Sequence, residues 1–344
     1  MIGQIDIKVQ IHMTEILNDY ESSDVKDKAQ KPVLAITGAR GFIGKHLIES
    51  ALERGDVLIR ALARNPSQLN MQHPNLTIIH GDLTKPETLP DFLLPGCTVV
   101  NLAYGFDLTS SENIRAAENL LEICQKHQVK RLIHCSTASV FGRNQESIVN
   151  EESICNPKTE YGITKLLIEK LLQDGARGHF EFVNLRPTSV FGSEGAALAR
   201  LVDDLGNCNV LLNYLKSCLF NKRKLNLVSV ETLVAAILYI SDKVEGVDGQ
   251  TFIISEDDES INNFEYVEKL ISVQLYGKYY FIPPIKIPLM ILALILRVRG
   301  RDASNPSLIY DSSKIRKSGF NPPRPLLSSL TNFVRWKTEQ RENS

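Results

Sequence analysis

The 344-residue chain is poor in cysteine, in tryptophan, in charge of one sign and in long apolar runs. Its six cysteines, at 97, 124, 135, 155, 208 and 218, form no Cys-x-x-Cys pair, and no His/Cys cluster has zinc spacing. A disulfide scaffold is thereby excluded, and no metal is expected. Thiols scattered among apolar neighbours, such as Cys135 in Leu132-Ile-His-Cys135, read as reduced core residues, so a cytoplasmic location is expected. Lys and Arg number 39 against 40 Asp and Glu, a net charge of −1. No global field therefore draws the chain to nucleic acid or to an anionic membrane. The longest uncharged apolar run, Ile287 to Leu296, has ten residues, against the roughly 20 that a membrane-spanning helix needs. The first eight residues carry neither a basic region nor an apolar stretch, so no signal peptide is expected. With 43% hydrophobic and 23% charged residues, the remaining class is an ordinary globular protein.

Within that class the hydrophobic pattern is specific. Residues 1–31 end in a polar stretch, Glu21 to Lys31, and read as a flexible N-terminal extension. From Pro32 strands and helices alternate. Strands are expected at 33–37, 57–63, 76–80, 98–103, 131–136 and 180–186, and helices at 44–54, 111–128 and 161–172. This alternation predicts an α/β fold: a Rossmann-type, doubly wound parallel sheet over 32–190, covered by helices on both faces. After about 190 the pattern loosens. Helical stretches at 196–205, 230–241 and 264–274 mix with short strands at 224–228 and 250–254, which predicts a smaller substrate lobe over 191–344.

The first strand runs into Gly38-Ala-Arg-Gly41-Phe-Ile-Gly44, and a helix follows. Glycines at a strand–helix turn let backbone approach a pyrophosphate, and the helix N-terminus offers free N–H groups. The strand-then-helix context is what lifts a glycine triplet above chance. A NAD site would place an acid at the end of the second strand. Here Arg64 stands there, with Arg40 in the glycine loop. Two guanidinium groups suit a ribose 2′-phosphate, so NADP(H) is the expected cofactor, with NAD(H) as the alternative.

Farther on, Tyr161 and Lys165 stand four apart and share one face of a helix. A phenol titrates near ~10, and an ammonium beside it is expected to lower that value. Upstream, Ser136-Thr-Ala-Ser139-Val-Phe141-Gly142 follows the fifth strand, and Leu185-Arg-Pro187 ends the sixth. Together these motifs resemble the extended short-chain dehydrogenase/reductase superfamily, in its nucleotide-sugar epimerase/dehydratase branch. The resemblance covers residues 33 to about 335. It implies an NAD(P)-dependent enzyme and, usually, a homodimer paired through the helices at 111–128 and 161–172. It also implies that Gly38, Gly41, Phe42, Ile43 and Gly44 cradle the cofactor. Asp82 and Leu83 would meet its adenine, Leu102 and Ala103 would pass beneath it, and Asn113 and Pro187 would complete its site. Tyr161 would be the acid/base, Lys165 would also hold the nicotinamide ribose, and Thr137 would supply the catalytic hydroxyl, with Ser136 and Ser139 as rivals. Ser139 and Phe141 would face substrate.

Sugar dehydratases carry an Asp-Glu pair directly after the catalytic Thr. Here those positions are Ala138 and Ser139, which disfavours water elimination. Hydride transfer at one carbinol remains, as a 4-epimerase or 4-ketoreductase of a nucleotide-diphosphate sugar. A reductase of a steroid- or flavonoid-like ketone and a non-catalytic NADP-binding scaffold are the alternatives. Arg299 and Arg301, beyond the apolar run, admit three readings: a solvated helix end, a clamp on a substrate diphosphate, or contact with a membrane surface.

Overall fold

A computed structural model describes residues 31–142, 146–207, 209–298 and 305–342. Strands β1 (Val33–Thr37), β2 (Leu58–Ala63), β3 (Leu76–His80), β4 (Thr98–Asn101) and β5 (Arg131–Cys135) form in chain order. They are followed by β6 (Ile148–Val149), β7 (Glu181–Pro187), β8 (Ser189–Phe191), β9 (Leu227–Ser229), β10 (Gln250–Ile254) and β11 (Ile309–Tyr310). Among the described residues seven of them make one parallel sheet, in the order β3-β2-β1-β4-β5-β7-β10. The first helices, packed on the sheet, are α1 (Phe42–Arg54), α2 (Ser110–Lys126) and α3 (Glu160–Ala176). Then come α4 (Ala199–Asn207), α5 (Val210–Phe220), α6 (Val230–Asp242), which joins them on the sheet, α7 (Phe264–Tyr276), α8 (Leu289–Val298), α9 (Ser313–Lys317) and α10 (Leu326–Glu342).

The two-residue side-chain period of a strand divides the core into two layers. Leu34, Ile36, Val100 and Ile133 point to one face and pack with Leu47 and Ile48 of α1 and Leu233 and Ile237 of α6. Ala35, Val99 and Leu132 point to the other and meet Leu120 and Ile123 of α2 and Ile168 and Leu172 of α3. A third core, with Phe191, Val202, Ile271 and Phe333, holds α4, α7 and α10 together.

Strand β10, expected in the second lobe, is instead the edge of the main sheet, paired with β7 from Gln250↔Val183 to Ile254↔Pro187. The cause is non-local. Helix α6 lies on the sheet face beside α1, so its crossover returns the chain to the sheet.

One ion pair spans the core near the site. Arg186 on β7 donates from Nε and Nη2 to the Glu169 carboxylate on α3, at 3.2 and 2.7 Å, and both side chains are buried. Removing one partner leaves a buried charge without its counter-ion, at a cost of about 3–5 kcal/mol. Glu169→Ala should therefore lower the urea midpoint strongly, and Glu169→Leu with Arg186→Met should recover most of the loss. Equal midpoints for Glu169→Ala and wild type would show that the pair carries no such burden.

Candidate active site

Strand order reverses between β1 and β4, and the crevice past their carboxyl ends is where a doubly wound sheet binds its ligand. Gly38 opens that crevice in the left-handed region, at φ +68°. A Cβ there would stand 2.8 Å from the Leu102 carbonyl carbon, so only glycine lets the β1 turn pass under the chain leaving β4. Gly44, on α1, is buried against the Gly38 carbonyl, which a Cβ would strike. No side chain caps α1, so its first amides are open to a phosphate.

Above this turn lies a cavity of about 340 Å³. Gly38, Arg40, Gly41, Arg64, Asp82, Leu83, Leu102, Ala103 and Asn113 are among the residues that line it. The glycine cradle and the two arginines thus meet in one cavity, and the cradle is the part that a nicotinamide dinucleotide requires. Three of these residues also have structural work. Asp82 Oδ1 accepts from the Thr84 amide and hydroxyl at 3.0 and 2.9 Å, closing its own turn. Asn113 clamps Gly105, accepting from its N–H and donating to its carbonyl, both at 2.9 Å. Arg64 faces Asp107 across 3.7 Å, an ion pair between half-exposed or more exposed groups.

Phe42, Ile43 and Pro187 do not line the cavity with their side chains. The Phe42 ring packs beside Gly192 and Gly195 and stands edge-on to His46, so this residue has only its backbone to offer a cofactor. Ile43 turns into the core, and Pro187 is buried at the end of β7.

Beneath the cavity runs a polar seam that no sequence motif announces. Thr37 Oγ1 donates to Asn101 Oδ1 at 2.7 Å, and the Ala103 amide donates toward both oxygens. Asn101 Nδ2 lies 3.1 Å from Nδ1 of His134. His134 is fully buried, and burial with the nearby Lys165 charge holds it well below the usual imidazole range, hence neutral. The seam ties β1, β4 and β5 together where Leu102 and Ala103 turn over the cavity.

Tyr161 and Lys165 follow the N-cap Thr159, whose hydroxyl accepts from the Gly162 amide and sets the first turn of α3. Lys165 is buried, and its Nζ donates to the Cys135 carbonyl at 2.7 Å. Burial pushes its pKa down. Burial pushes the Tyr161 phenol up to about 12, against a smaller lowering by the neighbouring Thr137 hydroxyl. The expected depression by Lys165 is overturned: the ammonium is spent on the end of β5, and desolvation dominates at Tyr161. Because the neutral phenol is the favoured form, a pH difference titration of the cofactor-free protein against Tyr161→Phe should show the Tyr161 phenolate only near about pH 12. A midpoint near neutrality would contradict the burial argument.

The three candidate hydroxyls separate by position. Ser136 is buried with its Oγ unpartnered among the described residues. Ser139 is exposed, and its amide and hydroxyl engage Thr137 Oγ1 at 3.1 and 3.2 Å. Thr137 is the one whose hydroxyl acts on the Tyr161 phenol, favouring its charged form against the larger effect of burial. Phe141, expected to face substrate, is buried at 1% exposure with its ring 4.9 Å from the Arg186 guanidinium carbon. A phenyl ring without a hydroxyl gains more from that stacked, dry position than from solvent. Arg299 and Arg301 lie outside the described residues.

A pair of aromatic residues, unmarked by any motif, completes the site. Tyr104 meets Tyr161 edge-on at 4.9 Å, and Phe106 stacks on it at 5.8 Å and 25°. Phe106 is nonetheless 85% exposed. The only sequence signal was the Tyr-Gly-Phe spelling after Ala103, in a loop that Asn113 fixes.

The model of the NAD dependent epimerase/dehydratase family matches residues 34–255. A 3-beta-hydroxysteroid dehydrogenase of Mycolicibacterium neoaurum is 28% identical over 260 residues, covering 69% of this chain and 68% of that protein. An uncharacterized UDP-glucose epimerase of Bacillus subtilis is 31% identical over 160 residues, 40% of this chain and 50% of that protein. Among solved structures, a dTDP-glucose 4,6-dehydratase of Bacillus anthracis in complex with NAD superposes with a TM-score of 0.68 at 18% identity, covering 90% of this chain and 98% of that one. A Rossmann sheet, a glycine cradle at the switch-point crevice and a family match across the sheet converge on one conclusion: the chain belongs to the NAD dependent epimerase/dehydratase family of oxidoreductases and isomerases.

Proposed function

We propose that this protein is an NADP(H)-preferring dehydrogenase or reductase that moves a hydride at a secondary alcohol or ketone on a flat, apolar skeleton such as a sterol. The observation that carries this reading is the exposed Phe106 ring stacked on Tyr161, with Tyr104 edge-on. Two aromatic rings around the proton donor offer a substrate area and dispersion, not hydrogen bonds. The nicotinamide ring supplies or takes the hydride when bound. Tyr161, held neutral by burial, gives its proton to the carbonyl oxygen as that oxygen gains charge. Thr137 donates to the same oxygen and orients it. Lys165 braces the end of β5 under the site.

Arg40 and Arg64 support the NADP(H) preference, since both line the cavity. A homodimer through α2 and α3 agrees with the exposed Ile163 and Leu167 on α3, and a dimeric mass in solution is the expected result. The five described cysteines are free thiols, which suits the reducing cytoplasm. A second reading, a nucleotide-sugar 4-epimerase or 4-ketoreductase, is favoured by the UDP-glucose epimerase relative. The test is turnover with matched panels of hydroxysteroids, ketosteroids and UDP-sugars under both cofactors. Turnover of sterols alone supports the first reading, and turnover of UDP-sugars alone replaces it with the second.

A further inference from the structure

Helix α5 is built inside out. Its inward side is polar: Asn213 Nδ2 donates to the Asp204 carbonyl at 2.9 Å, and Ser217 donates to the fully buried Glu268 carboxylate. Its outward side is apolar, with Val210 at 70% exposure and Leu211, Leu212 and Leu215 also exposed. A helix in water presents the reverse polarity.

The segment leading into α8 extends the same surface. Tyr214 on α5 donates to the Pro283 carbonyl at 3.4 Å and meets Tyr280 edge-on at 5.3 Å. The Ile287 amide donates to the Cys218 carbonyl at 3.1 Å. Beside these contacts Phe281 is 101% exposed and Met290 83%, with Ile282, Ile285 and Ile291 exposed among them. Apolar surface this extensive marks an interaction site. Its charge is cationic once the ion pairs are set aside: Lys216 pairs with Asp204 and Lys286 with Glu265, while Lys222 and Lys278 stand exposed, and residues 209–224 and 277–298 hold no Asp or Glu.

We propose that this face docks on an anionic lipid bilayer, lying in the interface without crossing it. Helix α8 has ten residues, and no helix of the described residues is long and apolar enough to span a membrane. The charge selects the occupant. A second copy related by a two-fold axis would press the same cationic surface against itself. Anionic headgroups neutralise it, and each Lys or Arg near such a surface raises partitioning by about fivefold. Tyr214 and Tyr280 brace this surface from within, their hydroxyls donating to the Pro283 carbonyl and the buried Glu268 carboxylate. The projecting Phe281 and Met290 are shaped to enter a fluid layer.

The test is flotation of the full chain with phosphatidylcholine vesicles, with and without phosphatidylserine. Wild type should float with the phosphatidylserine vesicles roughly tenfold more than with phosphatidylcholine alone. Leu211→Glu with Phe281→Glu should lower that binding roughly tenfold or more, with melting temperature and cofactor affinity unchanged. Lys222→Glu with Lys278→Glu should remove the preference for phosphatidylserine. The proposal is overturned if wild type stays with neither vesicle, or if Leu211→Glu with Phe281→Glu floats like wild type. It is also overturned if that double variant turns a dimer into a monomer in lipid-free buffer, because the occupant is then a second copy.

Discussion

Replacing Tyr161 with Phe should cut turnover by ~10²–10⁴ while leaving cofactor affinity close to that of wild type. The substitution removes one oxygen and keeps the ring, so the contacts with Tyr104 and Phe106 survive. What is lost is the proton donor beside Thr137. Tyr161 does not line the cavity formed by the glycine cradle, so dinucleotide binding has little reason to change. Single-turnover rates and a cofactor titration on the same preparation check both halves. Turnover within about tenfold of wild type would remove Tyr161 from the acid/base role.

Arg64→Asp made together with Arg40→Ala should move cofactor preference from NADP(H) toward NAD(H) by about one to two orders of magnitude. A 2′-phosphate loses two charge-assisted hydrogen bonds, each worth ~1.5–3 kcal/mol before allowance for solvent. Arg64 is 54% exposed on its side chain, which roughly halves that worth. Asp107 already faces Arg64, so the phosphate must compete with a carboxylate for the same guanidinium. The new Asp accepts hydrogen bonds from a free ribose diol and repels the phosphate. The measurement is the ratio of the two dissociation constants in each protein. Equal affinity for NAD(H) and NADP(H) in wild type would make both arginines ordinary surface residues.

Much of the sheet was legible in the chain because its strands are buried on both faces. Runs such as Val33–Thr37 and Thr98–Asn101, buried almost throughout, carry enough β-branched and apolar residues to be read directly. Where β10 belongs was not legible, since sheet order depends on which face α6 covers. Helix α5 escaped notice for a physical reason as well. Its apolar residues face outward, so it lacks the polar outer side that betrays a surface helix.

The site divides in the same way. Gly38, Gly41, Gly44, Tyr161 and Lys165 stand out in the chain because their spacing is a mechanical requirement of the roles proposed for them. Phe141 was misplaced because a motif position fixes a residue's address and not the direction of its side chain. Tyr104 and Phe106 were missed because a loop has no period to read, and their nearness to Tyr161 is a tertiary fact.

The most direct measurement of hydride transfer to a substrate carbonyl beside Tyr161 follows an isotope. The full chain is incubated with a ketosteroid and a reduced cofactor deuterated at the transferable position of the nicotinamide ring. The alcohol is then examined by mass spectrometry. The account predicts one deuterium on the carbinol carbon, with the labelled product nearly absent for Tyr161→Phe. Alcohol without the label, or labelled alcohol formed as fast by Tyr161→Phe as by wild type, would contradict it.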